Sequence, residues 1–326
     1  MIPDDVREWV THSLISKGFG NAFDIIPVRM MPWSCVWRCK VDHYIFYLKV
    51  ITGDFKRELD ILPYLFERYK NDVPEVIDLD LDRGFLLLAD SGVTVREFLK
   101  TEFDLSVIEK IYQTYVSIQR SLQEKRKDLL FNGLPDWTPA ALPFLLEKLD
   151  EDAALLFNDG LAQDEWIQIY KKIDVFQGIC SVLETSPIIS SIEHGDFHDN
   201  NFLIKDGRIH IADWGDASVG YPLLSAATMI SSLTRNHKID KSDIKYSHLI
   251  DITFSPWSDI VDKDDYIRYL KYSHIARHVQ FILSFIRIKK SSNLVQTNDY
   301  NGYMAEYLRR FLKLLLNPES NEYGIC

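Results

Sequence analysis

The sequence predicts an α+β chain in two unequal lobes, a small antiparallel-sheet lobe over about residues 1–88 and a larger, mainly helical one over 89–326. Three observations carry this. Before about residue 90, runs rich in Val, Ile, Phe, Tyr and Trp recur at strand length. From Ser91 onward, apolar residues fall at helical spacing. One sharp β signal, Phe202–Lys205, then Asp206-Gly207, then Arg208–Ile211, interrupts the helices. A prior of roughly 150 residues per domain also gives about two units.

In chain order, a first helix is expected near Asp4–Lys17. Strands follow at Ala22–Val28, Ser34–Lys40 and Tyr44–Ile51, the last two joined by a turn at Asp42-His43. Leu59, Leu62 and Leu65-Phe66 mark a helix over about Phe55–Tyr69. Two more strands, Glu75–Asp80 and Gly84–Leu88, complete the sheet. Thr94-Val-Arg-Glu97 has capping-box spacing. Ile108, Ile111, Tyr112, Tyr115 and Leu122 line one face of a long helix. Later helices are expected near Pro139–Leu149, Asp164–Leu183, Pro222–Leu233, Asp264–Lys289 and Asn298–Leu316.

Composition narrows the function. With 46% hydrophobic and 26% charged residues, the chain is globular rather than disordered. Its 48 acidic against 37 basic residues give a net charge of −11, which argues against a general nucleic-acid binder. An acidic balance suits cationic small molecules and also simply keeps a protein in solution. The four cysteines, Cys35, Cys39, Cys180 and Cys326, form no disulfide framework and no zinc pattern. Met1-Ile-Pro-Asp-Asp5 lacks the basic and apolar regions of a secretion signal, so a cytoplasmic location is expected. The longest uncharged run, Ala217–Thr234, carries Gly220 and Pro222 and reads as a buried helix rather than a membrane span.

The hairpin has a geometric consequence. With Asp206-Gly207 at its turn, Lys205 pairs with Arg208, Ile204 with Ile209, Leu203 with His210 and Phe202 with Ile211. Its open end therefore brings the stretch Asp196–Asn201 beside Asp213. Carboxylates and carboxamides are hard oxygen ligands that suit Mg²⁺ together with substrate phosphates. Asp196, about one loop away, is placed to hold a hydroxyl nucleophile. A metal clamp and an oriented hydroxyl are what phosphoryl transfer needs.

His194-Gly-Asp-Phe-His-Asp-Asn-Asn201 resembles the catalytic loop of the aminoglycoside phosphotransferase and choline kinase-like family, which reads His-Gly-Asp-x-His-x-x-Asn. Asp213-Trp-Gly215 is similar to the metal-binding Asp-x-Gly of that family and of protein kinases. Tyr47-Leu-Lys49 resembles the strand lysine that holds nucleotide phosphates, and Glu58 the helix glutamate that pairs with it. Phe85-Leu-Leu-Leu-Ala-Asp-Ser-Gly92 looks like the last strand and hinge between kinase lobes. The resemblance implies a two-lobed, protein-kinase-like fold. It further implies that Asp196 orients the acceptor hydroxyl, that Asn201 and Asp213 bind Mg²⁺, and that Lys49, fixed by Glu58, neutralises the phosphates of ATP or GTP. Backbone groups at Leu87, Leu88 and Ala89 would meet the base, and Ser34 the terminal phosphates. The expected partners are a nucleotide and a small-molecule alcohol, with neither nucleic acid nor membrane. An aminoglycoside-type antibiotic leads as acceptor; choline, sugar and homoserine types are alternatives.

Two departures stand out. Arg29-Met-Met-Pro-Trp-Ser34 contains no glycine where a phosphate loop would have several, and Gly220-Tyr-Pro222 replaces the family's Gly-Asp-Pro, with Ser225 near the following carboxylate's position. Two other readings remain open at this stage. His194, Asp196 and His198 could ligate a hydrolytic metal, although structural bracing is the commoner role of such histidines. A nucleotide-binding module without turnover would keep the same fold.

Overall fold

The computed structural model describes residues 2–20, 24–291 and 300–318. The expected strand start at Ala22-Phe23, the helix start at Asn298-Asp299 and Cys326 lie outside the described residues. The chain begins with a helix, α1 (Asp4–Ser16), whose Val6, Val10 and Leu14 recur every four residues and are buried. They pack on one face of a five-stranded sheet built from β1 (Asp24–Met30), β2 (Ser34–Val41), β3 (Tyr44–Ile51), β4 (Val76–Asp80) and β5 (Phe85–Ala89). Strand order is β1-β2-β3-β5-β4, every pair antiparallel. Pro27 is tolerated because β1 is an edge strand, and the register slips between Pro27 and Arg29.

Alternation along β3 does the positioning. Phe46 and Leu48 point into the core beneath α1, so Lys49 takes the opposite face. Across that face lies α2 (Glu58–Arg68), entered through a 3₁₀ turn at Gly53–Arg57. Leu59, Leu62 and Leu65 are buried as their spacing predicts, which leaves Glu58 in the first turn, facing Lys49.

Beyond the sheet, helices dominate. A short strand β6 (Val93–Thr94) leads into α3 (Val95–Phe98), where the Thr94 hydroxyl caps the Glu97 amide. Then α4 (Leu105–Ser121) buries Ile108, Ile111, Tyr112 and Tyr115. The expected helix over Asp164–Leu183 is two, Gln163–Tyr170 and Ile173–Glu184. Helices at Arg126–Phe131, Ala153–Asn158 and Ile244–Phe254 were not signalled by the pattern. The largest element is the 29-residue helix Lys263–Ser291. The main core runs from α2 and β5 through α4 to the helices Leu223–Asn236, Lys263–Ser291 and Tyr303–Leu316. Among the described residues, no helix is long and apolar enough to cross a membrane.

Candidate active site

The hairpin forms with the register its turn dictates: Lys205 opposite Arg208, Ile204 opposite Ile209, Leu203 opposite His210, Phe202 opposite Ile211. Asp206 and Gly207 both take positive φ, at 50° and 73°, as a tight two-residue turn requires. One further bond, from the Ala212 amide to the Asn201 carbonyl at 2.9 Å, closes the open end. The chain then turns sharply at Asp213, whose φ of 65° is unusual for a residue with a side chain. This kink aims the carboxylate across the cleft at the sheet.

There Lys49 Nζ lies 2.6 Å and 2.8 Å from the two Glu58 carboxylate oxygens and 3.0 Å from Asp213 Oδ1. Burial opposes the charge on Lys49, but Asp213 and Glu58 outweigh it and raise the ammonium's pKa. The same lysine charge draws Asp213 down to about 2, so its carboxylate is ionised at neutral pH. Glu58 is pushed upward by burial, against the pull of Lys49.

Asp196 projects from the loop below. Asn201 Nδ2 donates to the Asp196 carbonyl at 2.9 Å and to its Oδ2 at 3.1 Å, and His198 Nε2 lies 3.2 Å from the same oxygen. Burial would raise the Asp196 pKa, but His198 more than compensates and the net shift is downward. Because Asn201 spends its NH₂ on Asp196, its Oδ1 is the atom it would offer as an oxygen ligand. With the Asp213 carboxylate, it forms the pair of hard oxygens that Mg²⁺ takes alongside phosphates. Among the described residues, no three His, Cys, Asp or Glu side chains converge to hold a metal by themselves.

Glycine is required at 195. Its φ is 83°, and a Cβ there would sit 2.2 Å from the Asp216 carbonyl oxygen. His194 is fully buried, and its two nitrogens have structural partners: Nε2 meets the Ala212 carbonyl at 2.9 Å and Nδ1 accepts from the Asp196 amide at 3.3 Å. Neither nitrogen remains for a metal, so His194 braces the loop against the hairpin. Burial pushes its pKa down to about 4. In the unfolded chain the imidazole takes a proton near pH 6.5, so stability falls as pH drops from about 6.5 through about 4, by on the order of 3 kcal/mol. Urea unfolding at pH 7 and pH 5 should show about 2 kcal/mol of this loss, and His194→Gln should shrink it. An equal loss in the variant removes His194 as its source.

A cleft of about 300 Å³ collects Lys49, Glu58, Asp196, Asp213 and Ser34, so these predicted residues share one site. Asn201 does not line the cleft itself but is bonded to Asp196, which does. Leu87, Leu88 and Ala89 do not line it. Strand β5 is hydrogen-bonded on both sides, to β3 and β4, and the Ala89 amide donates to the Glu75 carbonyl at 3.0 Å. Sequence reasoning also missed several supports. Arg29 lines the cleft from β1. Arg287 pairs with Asp216. Asp199, fully buried, anchors the loop by accepting from Arg96 at 2.8 Å, Ser232 at 3.1 Å and His237 at 3.1 Å. Glu193 accepts from the Gly195 amide and from Ser225. The sequence marks neither as buried: Asp199 stands among His198, Asn200 and Asn201, and Glu193 between Ile192 and His194.

Solved structures share this architecture. A choline/ethanolamine kinase family protein from Mesorhizobium loti superposes with a TM-score of 0.65 at 15% identity, over 99% of this chain and 97% of that one. Choline kinase LicA from Streptococcus pneumoniae gives 0.63 at 15%, over 96% and 99%. A thermostable mutant of an aminoglycoside phosphotransferase, in a ternary complex with AMP-PNP and hygromycin B, gives 0.57 at 16%, over 93% and 97%. Identities this low carry the fold alone, and that fold is kinase-like. The sequence supplies the rest, since residues 49–240 match the profile of the phosphotransferase enzyme family. The match covers more than half of the chain, which therefore belongs to that family and is a small-molecule phosphotransferase. No curated protein sequence matches it.

Proposed function

We propose that the chain transfers the γ-phosphoryl group of ATP or GTP to a hydroxyl group of a small molecule, in the cytoplasm where such nucleotides are abundant. The observation that supports it best is the Lys49–Glu58–Asp213 cluster facing Asp196 across one cleft. Lys49 neutralises phosphate oxygens, and Glu58 holds its rotamer. Asn201 and Asp213 would hold Mg²⁺, which when bound supplies charge neutralisation across the phosphates. Ser34 and Arg29 meet the terminal phosphates in place of a glycine-rich cradle. Asp196 accepts a hydrogen bond from the acceptor hydroxyl and aligns its oxygen with phosphorus. A P–O bond to the acceptor forms, the bond to the β-phosphate oxygen breaks, and the hydroxyl proton passes to Asp196 late in the step. A carboxylate with a lowered pKa is a weak early base, so alignment carries most of its effect.

Proteins of similar structure include a choline kinase and an aminoglycoside phosphotransferase. A phosphate-transfer screen tests the proposal: each nucleotide with Mg²⁺, followed by ADP or GDP release and by mass analysis of the acceptor. The expected result is acceptor-dependent release with a mass gain of one phosphoryl group. Nucleotide binding without turnover on any alcohol would favour a binding module instead.

A further inference from the structure

Beside the nucleotide cleft lies a second cavity of about 500 Å³, and Asp196 and His198 line both. It is therefore the space from which an acceptor would reach Asp196. Its walls come from the helices Leu223–Asn236, Lys263–Ser291 and Tyr303–Leu316, and its charge is the reverse of the molecule's. Arg235, Arg277 and Arg310 line it, and among the described lining residues Asp196 alone carries a carboxylate.

Arg277 is the telling residue. It is only 7% exposed, yet among the described residues no carboxylate pairs with it. Its guanidinium donates to the Ala227 carbonyl at 3.1 Å and the Ser231 hydroxyl at 2.9 Å, and Nε has no partner among the described residues. A buried guanidinium normally meets an anion, because desolvating it without one costs several kcal/mol. Burial and the nearby Arg235 and Arg310 pull its pKa down to about 10, so it is still charged at neutral pH. His274 adds a second buried polar group to the same wall, its Nδ1 without a partner among the described residues.

The aromatic lining does not reverse this. Phe281, Phe285 and Tyr307 form a wall that could in principle stack on an organic cation. Protein cations already sit on two of those rings. Arg277 lies 5.5 Å from the Phe281 centroid, and Arg310 5.8 Å from that of Tyr307. An ammonium entering here would meet Arg277 and Arg235 at close range with no carboxylate to pay for it except Asp196, which the hydroxyl needs.

We propose that the acceptor is an anionic alcohol, a hydroxyl compound carrying a phosphate or carboxylate group that docks on Arg277 and Arg235 while its hydroxyl faces Asp196. This rests on the phosphotransferase reading above and names its substrate class. The planar fork of an arginine matches either oxyanion bidentately. The aromatic wall then packs against the acceptor's carbon skeleton.

Calorimetry on protein saturated with Mg²⁺ and AMP-PNP separates the two readings, because nucleotide binding is measured first and by itself. Glycerol 3-phosphate, glycerate, glycerol, choline and kanamycin are then titrated in turn. The expected result is binding of glycerol 3-phosphate, glycerate or both, and none of the neutral or cationic probes. Which anion binds tells phosphate from carboxylate recognition. Arg277→Gln should weaken that binding about tenfold or more, and so should Arg235→Gln, an exposed change that spares the core even if the first variant folds poorly. Binding of choline or kanamycin in preference, no anion binding to the nucleotide-loaded protein, or unchanged anion affinity in the Arg235 variant would overturn the proposal. Failure to bind AMP-PNP would instead count against the phosphotransferase site itself.

Discussion

Asp196→Ala is expected to lower turnover by about 10²-fold or more while leaving the melting temperature within a few degrees of the parent. The reasoning starts from what the side chain holds. Its carboxylate bonds Asn201 and His198, and 41% of its surface is exposed. Truncation removes both of those contacts, yet the Asp196 carbonyl still receives Asn201 Nδ2 at 2.9 Å, so the proposed metal-binding amide stays in place. Folding therefore loses little, because a half-exposed carboxylate whose contacts are partly screened by water contributes modest net stability. Turnover loses the group that orients the hydroxyl. Asp196→Asn sharpens the point: it retains an oxygen acceptor without the charge, so activity between parent and alanine variant marks orientation as the main role. Near-parental turnover in the alanine variant, measured with the acceptor found by the screen, would end the assignment.

What could be read in the sequence follows from how local each signal is. The hairpin register was legible because an Asp-Gly turn fixes pairing over the next four residues on each side. Lys49 was legible as a strand residue, but its approach to Glu58 depends on the angle at which the 3₁₀ turn Gly53–Arg57 sets α2 on the sheet, and no residue pattern encodes that angle. The break at Lys171-Lys172 was hidden for a different reason. Trp166, Ile169, Ile173 and Phe176 keep helical spacing straight through it, so periodicity carries no mark of the turn. Leu87–Ala89 were read as lining the site because a strand leading to a hinge borders it in related folds. Within β5, Leu87 and Leu88 pair with strands on both sides and the Ala89 amide donates to Glu75, so these bonds are set by the sheet.

Charge was the least legible property. A net −11 describes the whole surface and says nothing of a pocket, since fields fall off within about 8 Å at physiological salt. His274, Arg277, His278, Phe281 and Phe285 share a helical stripe, and an arginine in such a stripe reads as solvent-facing. Arg277 is instead buried because Ala227 and Ser231, about fifty positions earlier, pack over it. The acidic composition had favoured a cationic acceptor, whereas the geometry beside Asp196 supports an anionic one.

Lys49→Met should show two effects that a double variant can pull apart. The ammonium is mostly buried, with 12% side-chain exposure, and Glu58 is more so, at 3%. Removing the lysine leaves the Glu58 carboxylate buried with no counter-charge, and breaking such a pair costs about 3–5 kcal/mol. Lys49→Met should therefore unfold at markedly lower denaturant concentration and also lose turnover by about 10²-fold or more, since the lysine's share of the charge stabilisation on the nucleotide phosphates is lost. In the Lys49→Met/Glu58→Gln double variant the deeply buried orphan charge of Glu58 is gone, and the Asp213 carboxylate, which also loses Lys49, keeps 45% of its side chain open to water. Most of the lost stability should return, because a neutral amide of similar shape is far cheaper to bury than a lone carboxylate. Turnover should not return, because the phosphates still lack their cation. Glu58→Gln alone belongs between these limits, as Lys49 keeps Asp213 as a partner at 3.0 Å. Urea unfolding and ADP release on the same four proteins check the argument. Recovery of activity together with stability in the double variant would mean that Lys49 acts only as a scaffold for Glu58, and the nucleotide would then have to be held by other residues of the cleft, Arg29 first among them.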